Sequence, residues 1–498
     1  MTNTQNVKID QLSQKIHKLI QKAWPVSNQI WPDTNMSDRY LLLVSGDQAF
    51  EISVAGIVPV ARADVDAAPP HPHADGGRGS LRYIWWKTRQ ATALDVLRYL
   101  PLPPDKFPPV LSDEEEIYSF VVHETFHLIQ FSEQYWSPPP RTFLDRDYPV
   151  PTNPALYRTL LYHALQRAAL NPAQPQQYLA QAAYWDALFI NQFPAIADNL
   201  KLPDVTEGSA QFFHTQMLAA ALIDNPADDQ ARRAKAAELS YPVSPEMQRW
   251  LLQNVNPSYW IGEVAGAVLD ARDTPWRADV AAGRTPMDIL SSTISPPAPP
   301  PVPEAEIVRE NTALIAELNN ILAIQLEPAI EGYLERNHVL LLLPNWWEMA
   351  IDTSKEQEID EARKKTVLAT TGYFSSSRVP YSLWGSWVGA YLLDEGNFVI
   401  KNISALQGNI EEREHTIIPL NPTAPGFHLY NGILTLSMEG MYGVLRVETI
   451  IDSDGRTLLK VGNSGEDRHS HRPNRHFKEG PQGYVQFSDN RLIDRRSV

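Results

Sequence analysis

The sequence predicts an α+β fold, because strand-like and helix-like segments occupy different parts of the chain. Residues 38–60 and 81–86 carry short apolar runs broken by turn residues, which is typical of β-strands. From residue 112 onward apolar residues recur at spacings of three and four, which indicates helices. The segments with this spacing and no internal proline are residues 113–135, 155–170, 176–192, 206–223 and 259–271. Strands followed by helices favour an α+β domain with a helix-rich second half.

At 498 residues the chain is longer than one ordinary hydrophobic core, so two or three domains are expected. The clearest boundary is the run SPPAPPPVP at residues 295–303, because consecutive prolines lack backbone N–H donors and favour an extended linker. We predict an N-terminal domain at residues 1–294 and a helical connector at residues 304–365. Short apolar runs between turn residues then predict a β-rich C-terminal domain, a sandwich or a barrel, at residues 366–498.

Charge and hydropathy narrow the classes of partner. A formal net charge of −16 disfavours nucleic acids and anionic membranes, because both are polyanions. The longest aliphatic runs, at residues 41–44 and 339–343, are too short to span a bilayer. Residues 1–24 show the spacing of an amphipathic helix rather than the continuous apolar run of a signal peptide. We therefore expect no nucleic-acid partner, no integral membrane segment and a cytoplasmic location, with non-classical export left open.

The chain has no cysteine, so any metal must be held by histidine and carboxylate side chains. Residues 112–115 (SDEE) form a capping-box pattern that opens a helix, and this helix contains HETFH, an HExxH motif, at residues 123–127. Histidines four apart project from the same face of a helix. We predict that His123 and His127 bind one Zn2+ and that Glu124 acts as the catalytic base. Two histidines on a solvated face, the alternative, would leave the apolar residues around them unexplained.

A catalytic zinc site usually takes three protein ligands, so the two histidines need a third. A metzincin-type motif would have Gly three residues and His or Asp six residues after His127, where this chain has Gln130 and Glu133. Glu133 could face the metal only if the helix broke. The better candidate is Glu207, in the run TEGSAQFF at residues 206–213. Its alternative role is that of a carboxylate at a helix start, which the helix dipole favours.

HETFHLIQ at residues 123–130, followed downstream by TEGSAQFF, resembles the gluzincin zinc metallopeptidases, the thermolysin-like clan. The resemblance covers roughly residues 80–275. It implies a zincin-like metallopeptidase domain, with N-terminal strands and a helix-rich lower half, that holds one Zn2+ per chain. The ligands that it implies are His123, His127 and Glu207.

The resemblance also implies a tyrosine or histidine that donates a hydrogen bond to the oxyanion of the reaction intermediate. His214, Tyr241 and Tyr259 are the candidates. Tyr259 is the one assigned a catalytic role, because it opens a run of small residues (YWIGEVAGAV) whose helix can pack closely against the site. An ordinary core tyrosine is the alternative at this position.

The function implied by the resemblance is zinc-dependent hydrolysis of a peptide or protein substrate, with zinc-activated water as the nucleophile. One alternative is a binding or assembly protein, in which the β-rich domain is functional and the zincin-like domain is structural or inactive. Another is a zinc hydrolase that cleaves a non-peptide bond. His71, His73 and Asp75 could form a second metal site, although the run HPHADGG favours a polar loop.

Overall fold

The computed structural model describes residues 9–71, 81–96, 111–132, 136–139, 145–170, 175–240, 257–294, 301–344, 372–376, 384–388, 399–400, 403–408, 415–438, 441–452, 455–461, 478–479 and 485–486. The protein is α+β, as the sequence predicts, and the described residues form two mixed β-sheets and many helices. It divides into two compact units, Met1–Thr142 with Asn153–Asn311, and Phe143–Thr152 with Thr312–Val498. Of the predicted linker, residues 301–303 have no regular structure and belong to the first unit, and residues 295–300 lie outside the described residues.

The described helices, numbered in chain order, are α1 (Ile9–Ala23), α2 (Ser27–Ile30), α3 (Arg62–Ala67), α4 (Asp113–Ser132), α5 (Thr152–Leu170), α6 (Pro175–Gln192), α7 (Pro194–Leu222), α8 (Asp229–Ser240), α9 (Ser258–Ala271), α10 (Arg277–Ala281), α11 (Pro286–Ser291) and α12 (Ala305–Leu334). Two 3-10 turns lie at Trp24–Val26 and Met36–Asp38. The five helices predicted from spacing are present as α4, α5, α6, α7 and α9. Helix α7 begins at Pro194 rather than at residue 206, because it accommodates Pro203 in its interior.

The first unit contains a five-stranded sheet of order β3-β2-β1-β5-β4. Its strands are β1 (Tyr40–Ser45), β2 (Gln48–Ser53), β3 (Gly56–Ala61), β4 (Leu81–Trp86) and β5 (Arg89–Asp95). Strands β1 and β5 are parallel, and the other neighbours are antiparallel. Both faces of β1 are covered: Leu41 and Leu43 join the core cluster shared with the helices, whereas Leu42 and Val44 join a separate cluster. Burial on both faces explains why β1 is aliphatic at successive positions.

The helical side of this sheet carries the main core of the first unit. Helix α1 packs its apolar stripe into it, with Ile9, Leu12, Ile16 and Ile20 buried, as the spacing predicts. Helices α4, α7 and α9 contribute to the same core cluster. The sheet and these three helices therefore position the residues discussed below.

The second unit contains a mixed sheet of eleven strands. Its strand order is β13-β14-β15-β16-β7-β12-β11-β9-β8-β6, and β10 pairs with β15. The strands are β6 (Asp145–Tyr148), β7 (Val339–Pro344), β8 (Gly372–Ser376), β9 (Trp384–Val388), β10 (Val399–Ile400), β11 (Ile403–Gly408), β12 (His415–Leu420), β13 (Phe427–Tyr430), β14 (Ile433–Met438), β15 (Met441–Ile451) and β16 (Thr457–Val461). A separate pair is formed by β17 (Lys478–Glu479) and β18 (Val485–Gln486).

Strand β7 lies inside residues 304–365, the segment for which the sequence predicts a helical connector. The helical part of that segment is α12, which passes through Pro328 without ending. Strand β7 pairs with β12 and β16, and its leucines at residues 340–342 are buried. Strands β15 and β16 are antiparallel, and the backbone N–H of Gly455 between them donates to the carbonyl of Asp452 at 3.0 Å. None of the described helices combines the length and apolar character needed to cross a lipid bilayer.

Candidate metal centre

Helix α4 holds the two histidines of the motif in a buried position. Its start is capped on one side, because the Glu115 carboxylate accepts a hydrogen bond from the backbone N–H of Ser112 at 2.9 Å. Phe126, between the two histidines in the sequence, stacks on Phe213 of α7 with ring centroids 4.4 Å apart. The buried hydrophobic residues of α4 are Ile117, Tyr118, Val121, Val122, Phe126, Leu128 and Ile129. This packing presses α4 against α7 and confirms that the motif helix is buried.

The ligand atoms of His123, His127 and Glu207 converge on one point. Nε2 of His123 lies 3.0 Å from Nε2 of His127, and Oε2 of Glu207 lies 3.3 Å and 3.0 Å from these two nitrogens. The histidines are only 7% and 8% exposed, and Glu207 is half-buried. Two nitrogen lone pairs and a carboxylate oxygen at such distances repel one another unless a proton or a cation lies among them. Among the described residues, this group could hold a metal ion.

His127 and Glu207 shift each other's pKa values. Burial, the largest single influence, lowers the pKa of His127, but the charge and hydrogen bond of Glu207, followed by Glu124 and Gln130, together raise that pKa to about 9. Burial alone would raise the pKa of Glu207, but His127 and His123 hold it well below its usual 4.5. The metal-free group therefore stabilises a positive charge beside Glu207, which is the property that a cation site requires.

A close crossing of helices α7 and α9 fixes the position of Glu207. Gly208, the next residue, packs directly against Gly262 of α9: a Cβ on Gly262 would lie 2.3 Å from the Gly208 Cα. One turn earlier in α7, Asp204 accepts hydrogen bonds from the buried Arg158 guanidinium of α5 and from the Ser258 hydroxyl of α9. Three helices are thus tied together within one turn of Glu207.

Gly262→Ala is expected to weaken both the fold and the metal group. The added methyl group cannot fit against Gly208, so α7 and α9 must separate, at a cost of about 1–3 kcal/mol in the free energy of unfolding. Glu207 is the residue before Gly208, so separating the helices should also displace the Glu207 carboxylate. We therefore expect both the affinity for zinc and the melting temperature to fall. Both are measured on purified protein, with Ala267→Ser on the half-buried side of α9 as the control. Unchanged stability in Gly262→Ala would contradict the close packing.

The second nitrogen of each histidine also has a hydrogen-bonding partner. Nδ1 of His127 lies 2.7 Å from Oε1 of Gln130, and Nδ1 of His123 lies 3.4 Å from Nδ1 of His214. Burial and the nearby His123 lower the pKa of His214 to about 3, so His214 is neutral and can accept a hydrogen bond. Both histidines can then carry hydrogen on Nδ1 and direct the lone pair of Nε2 to the shared point.

Glu124 faces the same region but is not a member of the three-atom group. The Tyr83 hydroxyl donates to Oε2 of Glu124 at 2.6 Å, and burial, followed by the Glu124 charge, raises the pKa of Tyr83 far enough that the phenol stays protonated. Tyr83 on β4 pairs with Thr92 on β5, whose hydroxyl lies 2.8 Å from that of Thr125. Two neighbouring sheet residues thus contact two consecutive residues of α4.

The remaining candidates from the sequence have different outcomes. The ring of Tyr259 stacks on that of His123, with centroids 5.7 Å apart and planes 19° apart. His214 lies behind His123 as its hydrogen-bond partner. His71 is buried elsewhere, with Nε2 3.2 Å from Nε2 of Gln90. Four predicted candidates lie outside the described residues, namely His73, Asp75, Glu133 and Tyr241.

Three residues, Gln130, His214 and Tyr83, have contacts in the site that were not predicted from the sequence. Gln130 is three residues after His127 and His214 is seven residues after Glu207, so helical periodicity could have placed each on the face of its ligand. No local signal could have found Tyr83, because its approach to Glu124 depends on the order of strands in the sheet.

Comparison with known proteins adds no relative. No protein-family model matches the chain, and neither the curated proteins nor the solved structures contain a match.

Proposed function

We propose that this chain is a zinc-dependent hydrolase that cleaves peptide bonds, with one Zn2+ held by His123, His127 and Glu207. The observation that carries the proposal is the convergence of three ligand atoms, 3.0–3.3 Å apart, beside a carboxylate that does not join them. That fourth residue, Glu124, is instead held by Tyr83. Ligands alone would suffice for a structural metal; an additional carboxylate in this position is what hydrolysis needs.

Zinc is the metal that best fits the group. A tetrahedral ion with zinc–ligand bonds of about 2.0–2.1 Å places its ligand atoms roughly 3.3 Å apart. The observed separations of 3.0–3.3 Å are close to this value. Two imidazole nitrogens and one carboxylate oxygen are a usual ligand set for catalytic zinc, whereas calcium and magnesium prefer oxygen ligands only. Three protein ligands also leave a fourth position for water or substrate.

Each remaining chemical role is assigned to a residue of the chain. Zinc, when bound, would polarise a carbonyl group and lower the pKa of water towards about 7. Glu124 would accept the proton of the attacking water and deliver it to the leaving amine. Tyr83 anchors one oxygen of Glu124 and leaves the other oxygen for that proton. We assign the oxyanion donor to Tyr259, whose ring packs on His123.

The peptide substrate and the zincin-like character of the first unit rest on the resemblance to gluzincins. A sheet followed by a helical half, with both histidines on one buried helix and the glutamate on another, supports that resemblance. The general chemistry is independent of it, since the same centre can hydrolyse other bonds.

The test combines metal analysis with a broad peptide-library digest. Purified wild-type protein should contain about one zinc per chain and cleave peptides, and Glu124→Gln prepared in parallel controls for contaminating proteases. Zinc without cleavage of peptides, esters or other amides would favour the binding or assembly protein. If the protein contains zinc and cleaves only non-peptide bonds, it is a zinc hydrolase whose substrate is not a peptide. Absence of zinc would contradict the proposal as a whole.

The affinity for zinc is expected to rise with pH and to level off above about pH 9. The pKa of His127, raised from 6.5 to about 9, means that protonation stabilises the metal-free fold below pH 6.5 and that this contribution is lost as pH rises through 9. Zinc must displace that proton, so affinity should increase by about tenfold per pH unit between these values. Chelator competition at fixed pH measures it. Glu207→Gln should flatten the dependence; an equally flat wild-type profile would contradict the coupling.

A further inference from the structure

Gln130 connects both ligand-bearing helices through one side chain. It lies on α4, three residues after His127, and is only 1% exposed. Its Oε1 lies 2.7 Å from Nδ1 of His127. Its Nε2 donates to the backbone carbonyl of Thr206 at 3.0 Å and to the hydroxyl of Ser209 at 2.8 Å, both on α7. One buried amide therefore uses its donors on one helix and its acceptor on the other.

The orientation of this amide follows from its partners. The Thr206 carbonyl can only accept, so it must face the NH2 group of Gln130. The Ser209 hydroxyl donates its hydrogen to the carbonyl of Val205, which leaves its lone pair for Gln130. The oxygen of Gln130 must then face His127, and an oxygen can only accept there. Nδ1 of His127 therefore carries hydrogen, so Nε2 is the nitrogen that can present its lone pair to an ion once the proton shared with Glu207 is displaced.

The contacts on α7 flank the third ligand. Thr206 and Ser209 lie immediately before and two residues after Glu207, so the turn that Gln130 holds is the turn that carries this carboxylate. We propose that Gln130 is a positioning residue that sets two ligands at once: the tautomer and ring orientation of His127, and the register of Glu207 against α4. The inference rests on the proposed function for the identity of the ion, whereas the connection between the helices exists without it.

A neutral amide suits both tasks better than a carboxylate. A carboxylate at this position would accept from His127 but would place a second acceptor against the Thr206 carbonyl, where an unpaired buried group is costly. A leucine of similar size would fill the space but make none of the three hydrogen bonds. These two replacements separate the contact with His127 from the contacts with α7.

The test measures zinc affinity and melting temperature in parallel for Gln130→Leu, Gln130→Glu and Ser209→Ala. Gln130→Leu should lose about 10–100-fold in zinc affinity, the usual effect of removing a partner of a metal-bound histidine. Gln130→Glu should keep more affinity than Gln130→Leu, because an acceptor still faces His127, while its melting temperature falls. Ser209→Ala removes one bond to α7 and leaves the bond to His127, so its loss of affinity should be the smallest of the three.

A purely structural role would lower the melting temperature of all three variants without this order of affinities, and would overturn the proposal. The connection is tested separately in metal-free protein, where the melting-temperature losses of Gln130→Leu and Ser209→Ala should be less than additive when combined. Full additivity would show that the two residues do not act together. If wild-type protein binds no zinc, the proposed function fails, and the metal-free combination alone decides whether Gln130 joins the helices.

Discussion

Glu124→Gln is expected to abolish hydrolysis while zinc content and melting temperature stay nearly unchanged. Glu124 is not one of the three converging ligand atoms, so coordination should not suffer. The Tyr83 hydroxyl, which now donates to Oε2 of Glu124, can donate equally to the amide oxygen of a glutamine. That bond would turn the NH2 group to the other side of the side chain. An amide there cannot take a proton from the attacking water, and losing the base should cost roughly 10²–10⁴-fold in rate.

The measurement compares turnover, bound zinc and thermal unfolding of the variant with those of the wild type. Glu116→Gln makes the same chemical change on the same helix, eight residues before the base, and is the matched control. It should leave all three quantities close to wild type. Undiminished cleavage by Glu124→Gln would place the base elsewhere or show that the activity belongs to a contaminant.

The parts of the site that the sequence predicts are those governed by local rules. His123 and His127 follow from the helical period, because residues four apart on one helix must share a face. Glu207 is 80 residues beyond His127, and its spacing carries no geometric information. It was assigned through the motif TEGSAQFF, and the structure places its carboxylate beside both histidines.

Residues that depend on strand order could not be predicted in the same way. Tyr83 reaches Glu124 because β4 lies beside β5 on the sheet, and the sequence gives little sign of β5. That strand, RQATALD, mixes polar residues with alanine and leucine, which favour helices, so neither its propensity nor its pattern indicates a strand. Because β5 is not predicted, the position of its neighbour β4 is not predicted either, and so the contact between Tyr83 and Glu124 is missed.

Strand β7 shows a second limit of periodicity. Its four consecutive leucines, at residues 340–343, have no alternation, because the strand lies between β12 and β16 in the interior of the sheet. A continuous apolar run fits a buried strand and a buried helix equally well. The helical pattern of α12 just before it then favoured extending the helical segment too far.

Glu207→Ala should lower zinc affinity by at least about 100-fold, more than the loss of any outer partner, because it removes one of three direct ligands. It also removes the negative charge beside the two Nε2 atoms, which lie only 3.0 Å apart and repel each other when both present lone pairs. In the metal-free variant the pKa of His127 should fall, since Glu207 is the group that raises it. Two neutral imidazoles would remain, without the one negative charge that the three ligands supply to a divalent ion.

Zinc affinity is measured by chelator competition, with Asp198→Ala as the control. Asp198 lies on the same helix, but its side chain is 69% exposed and pairs with Lys201, so removing it should leave zinc binding unchanged. Glu207→Gln, which keeps the size of the side chain, separates the loss of charge from the loss of packing. If Glu207→Ala retains full zinc while Glu133→Ala loses it, the third ligand is Glu133 and the assignment to Glu207 is wrong.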